Sequence, residues 1–210
     1  MWGVEYLRSA SSSTKQEVTV SESARSFRGG DLAYVAVFAA LIAALAIVPG
    51  FTIGPVPFTL QTIGVGLAGL CLGAWRGFSA VLLYLLVGAA GLPVFARGGA
   101  GLASFAGPTG GYLLAFPLAA LLAGFVATMA LKRGLSASTP VIFFLGLLLG
   151  RYLIILPLGV VGMMRAGGMD FGKAFGIDMA FWVSDAIKSV VVVILAYAVH
   201  RAFPRLLAQR

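Results

Sequence analysis

Apolar residues along this chain fall into long runs separated by short polar stretches. No charged residue lies between Asp31 and Arg76. Each run is near the roughly 20 residues that a helix needs to cross a bilayer core. The pattern predicts an all-α integral membrane protein with six transmembrane helices. Their predicted ranges are 32–48, 58–74, 78–93, 108–131, 139–164 and 173–200.

Glycine and proline mark the connections between these runs. PGFTIGPVPF separates the first two helices, because its prolines stop helix propagation. WRG at 75–77 is predicted to be a tight turn, and residues 94–107 a glycine-rich loop.

The two ends of the chain differ from the apolar middle. Residues 1–30 are rich in Ser, Thr, Lys, Arg and Glu and show no apolar period, which favours a flexible tail. They do not resemble a signal peptide, since no continuous apolar segment with a cleavage site comes before the first long run. We therefore expect a tail at 1–30, a membrane domain at 31–203 and a second tail at 204–210.

Basic residues are unequally divided between alternate connections. One set holds Arg8, Lys15, Arg25, Arg28, Arg76, Lys132, Arg133, Arg201, Arg205 and Arg210. The other set holds Arg97, Arg165 and Lys173. Lys and Arg concentrate on the cytoplasmic side of membrane proteins. Both termini are therefore predicted to be cytoplasmic, with the loops at 49–57, 94–107 and 165–172 outside.

Composition supports the membrane class and excludes others. Hydrophobic residues make up 60% of the chain and charged residues 10%, too few for the surface of a soluble domain. The net charge of +8 is spread between apolar runs, so no nucleic-acid partner is expected. The single cysteine, Cys71, excludes an intramolecular disulfide and is expected to be packed.

Three charged residues fall inside the apolar runs: Arg151, Asp185 and Lys188. Such groups are costly in a bilayer unless they are paired or face a wet cavity. Arg151 and Asp185 are each about a dozen residues from the outer end of their helix, or roughly 18 Å deep at about 1.5 Å per residue. They can therefore meet, either as an internal pair that holds the bundle together or as groups that bind a ligand.

The last predicted helix carries these groups on one face. Asp178, Trp182, Asp185 and Lys188 are spaced by four, three and three residues, so they are neighbours on the helix surface. Asp178 is expected to be solvated, because it lies near the membrane interface.

Two further features leave both a functional and a structural interpretation open. Arg97 lies in the outer segment FARGGAG, where its guanidinium can bind a carboxylate or sit at the interface. Ala36, Ala40 and Ala44 form a small-residue stripe on the first helix, suited to a membrane partner or to packing inside the bundle.

Catalytic signatures are missing from the sequence. It has no H-E-x-x-H, no Cys/His cluster, no nucleophile with a base and no Walker A spacing. We expect no catalytic residue, no metal ligand and no cofactor, and therefore a chain that does not itself hydrolyse ATP.

Several segments resemble those of a known family. VPFTLQTIGVGLAG (56–69), GLPVFARGGAGLASFAGPTGGYLLAFPLAA (91–120) and DAIKSVV (185–191) are similar to BioY, the biotin-specific substrate-binding subunit of energy-coupling-factor (ECF) vitamin transporters. The resemblance covers residues 31–203.

The resemblance implies a bacterial multi-pass protein of the cytoplasmic (inner) membrane that binds biotin from outside. It implies as partners a membrane scaffold subunit, docked through a stripe like Ala36, Ala40 and Ala44, and two cytoplasmic ATPases. It implies that Asp185 and Lys188 contribute to the vitamin site and that Arg97 resembles the family's loop arginine. It implies no role for Arg151.

The chemistry of biotin fits these residues. Asp185 can accept a ureido N–H, Lys188 can donate to the ureido oxygen, and Arg97 can hold the carboxylate. The aromatic residues expected to supply apolar walls are Trp182, Phe95, Phe58 and Tyr112.

Rival interpretations remain open at the level of sequence. The chain can be a solitary biotin carrier or bind another small vitamin. It can also be a structural membrane subunit whose buried charges only connect helices, and an intramembrane enzyme is disfavoured.

Overall fold

A computed structural model describes residues 29–48, 50–132 and 134–204. The predicted tails lie almost entirely outside these ranges. So do seven of the basic residues used for the topology: Arg8, Lys15, Arg25, Arg28, Arg133, Arg205 and Arg210.

The described chain is built almost wholly of helices. They are α1 (Gly29–Ile47), α2 (Gln61–Leu72), α3 (Ala74–Ala89), α4 (Ala103–Ala106), α5 (Gly110–Leu131), α6 (Thr139–Gly150), α7 (Leu156–Gly167), α8 (Phe171–Met179) and α9 (Trp182–Ala202). A π-helical turn at Arg151–Ile155 joins α6 to α7. Strands β1 (Thr52–Ile53) and β2 (Val56–Pro57) form a small antiparallel hairpin.

Four described helical segments are long and apolar enough to cross a membrane. They are Gly30–Ile47, Gly110–Leu131, Thr139–Gly167 and Trp182–Ala202. Helices α2 and α3 are apolar but shorter, with 12 and 16 residues. The predicted class, an all-α membrane protein, agrees with this architecture.

The predicted turn at 75–77 is wrong. Trp75, Arg76 and Gly77 lie in the first turn of α3, and α2 ends at Leu72, just before Gly73. Gly73 has φ 81°, a left-handed conformation that favours glycine and reverses the chain there. Arg76 pairs with Asp31 at 3.0 Å, which ties the start of α3 to the start of α1.

The last predicted helix is two helices. The chain breaks at Ala180 and Phe181, between α8 and α9. Helix α8 begins because the side chain of Asp170 accepts a hydrogen bond from the Lys173 amide at 3.0 Å, which caps its first turn. The predicted outer loop at 165–172 is correspondingly short, since α7 extends to Gly167.

Helix α5 lies at the centre of the bundle and packs against α2, α3, α6 and α7. Small residues allow these close contacts: a Cβ at Gly69 would come within 2.6 Å of the Ala120 carbonyl oxygen. Cys71 is 1% exposed and packs in this core, as predicted.

The alanine stripe of α1 faces away from the bundle. Ala36, Ala40 and Ala44 are exposed, whereas Ala39 and Ile42 on the opposite side are buried. Packing within the bundle, one of the two interpretations left open by the sequence, does not account for the stripe.

Candidate functional site

A cavity of about 290 Å³ lies between the β-hairpin, the loop after α3, and helices α2, α5 and α9. Its volume is close to the lower end of the range, about 300–1,000 Å³, that small-molecule sites occupy. Pro55, Val56 and Pro57 line it from the hairpin, and the loop contributes Phe95, Ala96, Arg97 and Gly99. Arg151, Asp185 and Lys188 line it from the π-helical turn and α9.

Arg151 joins two carboxylates beside this cavity. Its Nε donates to Asp185 Oδ2 at 2.6 Å, and its Nη2 donates to Asp178 Oδ2 at 2.8 Å. Only 5% of Arg151 is exposed. The predicted meeting of Arg151 with Asp185 is therefore confirmed, although they are 34 residues apart in sequence.

The π-helical turn has a local cause in the sequence. Pro157 has no amide hydrogen, so the carbonyl four residues earlier loses its usual helical partner. The amide of Leu156, next to this proline, bonds to the carbonyl of Arg151, five residues back. Such turns concentrate at functional sites, and this one carries Arg151 at its first position.

The prediction that Asp178 is solvated is wrong. Asp178 is 0% exposed. Its carboxylate accepts hydrogen bonds from Arg151, from Tyr112 Oη at 2.8 Å and from Trp182 Nε1 at 3.1 Å. Asp178 lies in α8, just before the break between α8 and α9. The sequence predicted one continuous helix over 173–200, and the position of Asp178 was judged from that helix.

Lys188 completes a group of four charges. Its Nζ lies 3.3 Å from Asp185 Oδ1 and 4.1 Å from the centre of the Phe58 ring. Lys188 is 8% exposed. We call Arg151, Asp178, Asp185 and Lys188 the charge quartet. Its two cations and two anions sum to zero, which lowers the cost of holding them in an apolar bundle.

Five of the seven predicted site residues line the cavity. They are Asp185, Lys188, Arg97, Phe95 and Tyr112. Arg97 is exposed and has φ 59°, a conformation that is rare for residues other than glycine. Phe95 is 3% exposed and makes edge-to-face contacts with Tyr84 and Phe105.

The other two predicted wall residues, Phe58 and Trp182, do not line the cavity. Phe58 covers Lys188 and stacks on Phe51. Trp182 donates to Asp178 and packs edge-to-face against Tyr152. Each ring therefore contacts a member of the charge quartet instead of lining the cavity.

Sequence reasoning missed several polar lining residues. Gln61, Thr62, Ser104 and Thr109 line the cavity. Gln61 is 3% exposed and donates to Tyr84 Oη at 2.9 Å. Gln61 and Thr62 lie in the charge-free segment between Asp31 and Arg76, so their polarity in an apolar run was the available signal.

The site offers directed hydrogen bonds within apolar walls. Each carboxylate oxygen of Asp185 already accepts one bond, and a carboxylate has about four acceptor positions, so acceptor capacity remains. Arg97 adds an exposed cation to the cavity lining. The arrangement suits a small ligand that has a polar group, an apolar part and an acidic group.

Comparison with known proteins gives consistent results. The profile of the BioY family matches residues 15–205. A protein of Rhizobium etli named biotin transporter BioY is 40% identical over 182 residues, covering 85% of this chain and 97% of that protein. A probable biotin transporter BioY of Pyrococcus horikoshii is 41% identical over 167 residues, covering 79% of this chain and 93% of its own.

A solved structure has the same fold. It is the crystal structure of the S-component for biotin from an ECF-type ABC transporter, with a TM-score of 0.76 and 30% sequence identity. The match covers 82% of this chain and 91% of that one.

Proposed function

The chain belongs to the BioY family, and on that premise we propose that it is the biotin-binding membrane subunit of a vitamin uptake transporter. It captures biotin from outside and delivers it inward. The proposal is supported by the names of its relatives and by the S-component fold.

The observation that carries the proposal is the charge quartet at the inner side of the 290 Å³ cavity. Biotin has a ureido ring at one end, a thioether ring in the middle and a carboxylate at the other end. In the proposed pose Asp185 accepts a ureido N–H, and Lys188 donates to the ureido oxygen. Phe95 and Tyr112 flank the apolar part, and Arg97 holds the carboxylate.

We further propose that the chain crosses the cytoplasmic (inner) membrane of a bacterium six times, with both termini in the cytoplasm. Helices α2 and α3 supply the two crossings beyond the four long segments. The unequal distribution of basic residues supports this orientation.

The proposed partners are an ECF scaffold subunit and two cytoplasmic ATPases, which hydrolyse the ATP that this chain does not. The outward-facing stripe of Ala36, Ala40 and Ala44 is the proposed docking surface for the scaffold. Small side chains let a partner helix approach closely, and none of the three is needed inside the bundle.

For delivery, we propose that the loops at 49–57 and 94–107 close over bound biotin, and that the subunit then tilts when the ATPases work. Both loops supply residues to the cavity, which supports their role as a cover.

Titration of the purified, detergent-solubilised protein with biotin tests the proposal. Wild type is expected to bind tightly. Asp185→Asn is expected to lose more than about 1.4 kcal/mol of binding free energy, or tenfold in affinity. Asp170→Asn is the matched control, since Asp170 lies outside the cavity and Asn also caps a helix. Absence of binding by folded wild type would refute the proposed ligand.

A further inference from the structure

Three large apolar side chains are exposed around the last turn of α3. They are Leu86, Leu92 and Leu102, which are 58%, 52% and 75% exposed. The amide of Leu92 donates to the Val87 carbonyl at 3.3 Å, and the Gly101 amide donates to the Gly88 carbonyl at 2.7 Å. Leu92 and Leu102 are therefore held beside the same helical turn that carries Leu86. We call these three leucines the leucine patch.

The length of α3 determines the depth of this patch in a bilayer. Helix α3 has 16 residues, so it is about 24 Å long at about 1.5 Å per residue, whereas a bilayer core is about 30 Å thick. Its first turn carries Trp75, which is 59% exposed, and the ion pair of Arg76 with Asp31, groups that are typical of a membrane interface. The last turn of α3 therefore ends short of the opposite interface, and a tilt of the helix would place it deeper still.

The segment 92–102 has two different sides. Phe95 and Arg97 line the main cavity, and the Phe95 ring packs edge-to-face on Tyr84 of α3. Leu92 and Leu102 do not line the cavity and are exposed instead. A group of exposed apolar side chains marks an interaction surface. At this depth the bundle is surrounded by acyl chains, which match the patch chemically.

We propose that the leucine patch binds the acyl chains of membrane lipids, so that the segment 92–102 is partly embedded in the leaflet at this end of α3. This inference rests on the proposed six crossings, because α3 is one of them. The sequence placed the loop at 94–107 outside the membrane, and the inference moves one side of it into the bilayer. Lipid then restrains the loop from one side, while its other side lines the cavity.

Fluorescence quenching in vesicles tests the lipid contact. Single cysteines at Leu86, Leu102 and Lys173 each carry an environment-sensitive thiol-reactive dye. The natural Cys71 is the only cysteine of the chain and is 1% exposed, so wild-type protein treated alike controls for background labelling. The vesicles are of phosphatidylcholine, with some of the lipid carrying a nitroxide midway along its acyl chain. Iodide in the buffer is the second, aqueous quencher.

The dye at Leu102 should lose fluorescence to the nitroxide lipid and be protected from iodide. The dye at Leu86 should behave in the same way, because it reports the crossing by α3 itself. Lys173 is exposed at the start of α8, and a dye there should be quenched by iodide.

Biotin titration in the same vesicles tests the restraint on the loop. Leu102→Gln places a polar group in the patch and should weaken biotin binding by about threefold or more, because the loop becomes less ordered. Leu102→Met keeps the patch apolar and should bind biotin as wild type does. Unchanged biotin affinity in Leu102→Gln would overturn the restraint.

Iodide quenching at Leu102 would place the loop in water, and protection from both quenchers would place it against protein, such as a second copy of the chain. Either result overturns the lipid contact. If Leu86 is still quenched by the nitroxide lipid in that case, the proposed crossing by α3 stands. Absence of lipid quenching at Leu86 would overturn both the crossing and this inference.

Discussion

The ammonium nitrogen of Lys188 lies 4.1 Å from the centre of the Phe58 ring. Phe58 follows the β-hairpin, whereas Lys188 belongs to α9. The contact therefore connects the segment after the β-hairpin to the charge quartet. Phe58 also stacks on Phe51, with ring centres 4.7 Å apart.

Replacing Phe58 with Leu should destabilise the protein by about 1–2 kcal/mol, because a desolvated cation loses its aromatic partner. Biotin affinity should fall as well, since Lys188 lines the cavity. Thermal melting in detergent, with and without biotin, measures both effects. Phe51→Leu is the control, because Phe51 stacks on the same ring and is 61% exposed. An equal effect of the two substitutions would show that stacking alone matters.

Replacing Asp178 with Asn should destabilise the fold by about 3–5 kcal/mol, the usual cost of breaking a buried ion pair. The amide group would face Arg151, Trp182 and Tyr112, all of which donate hydrogen bonds to this position. Asp170→Asn, at the exposed cap of α8, should leave the melting temperature nearly unchanged. A stable Asp178→Asn protein would mean that Arg151 is held well enough by Asp185.

Replacing Gly88 with Ala should disturb the cavity wall. A Cβ at Gly88 would overlap the ring of Phe95, and the Gly88 carbonyl accepts a hydrogen bond from the Gly101 amide at 2.7 Å. Overpacking of this kind costs about 1–3 kcal/mol, and displacement of Phe95 should lower biotin affinity. Gly176→Ala is the matched control, since nothing lies within 4 Å of a Cβ there. Biotin titration of both variants tests this prediction. Equal biotin affinities of the two variants would contradict it.

Replacing Ala40 with Leu should block association with the proposed scaffold subunit and leave biotin binding intact. Ala40 is exposed on α1 and is not a cavity-lining residue. Co-purification with the scaffold and ATPases measures association, and titration measures binding. Ala198→Leu on α9 controls for a bulky residue on another exposed helix face. Normal assembly of the Ala40→Leu protein would place the docking surface elsewhere.

Linking the loops at 49–57 and 94–107 should stop biotin exchange. Cysteines at Pro55 and Ala96, one in each loop beside the cavity, can be joined by a reducible bifunctional thiol reagent. Biotin added after crosslinking should not bind, and reduction should restore binding. Each single cysteine treated alike is the control. Uptake unchanged by the crosslink would refute loop closure as a required step.

The sequence predicted most of the helices but not their ends. Apolar runs of nearly membrane-spanning length determined the class, and the depth of Arg151 and Asp185 along their helices predicted that they meet. The turn at Gly73 and the break at Ala180 were missed. The φ angle of a glycine in an apolar run cannot be predicted from the run itself, and the residues next to Ala180, Met179 and Phe181, are apolar and give no signal of a break.

The sequence predicted only part of the candidate site. Charges in apolar runs are conspicuous, so Asp185 and Lys188 were found, and so was Arg97 beside its glycines. Phe58 and Trp182 were placed in the cavity wall because aromatic residues suit that role. The structure instead uses Phe58 to cover Lys188 and Trp182 to bond Asp178.

The sequence by itself determined that this is an α-helical membrane protein with a few buried charges that need partners. Hydrophobicity and charge are properties of single residues and short windows, so they can be read along the chain. Only the tertiary structure decided which partners those charges have. The pairing of Arg151 with both Asp178 and Asp185 depends on how the π-helical turn, α8 and α9 are positioned in three dimensions.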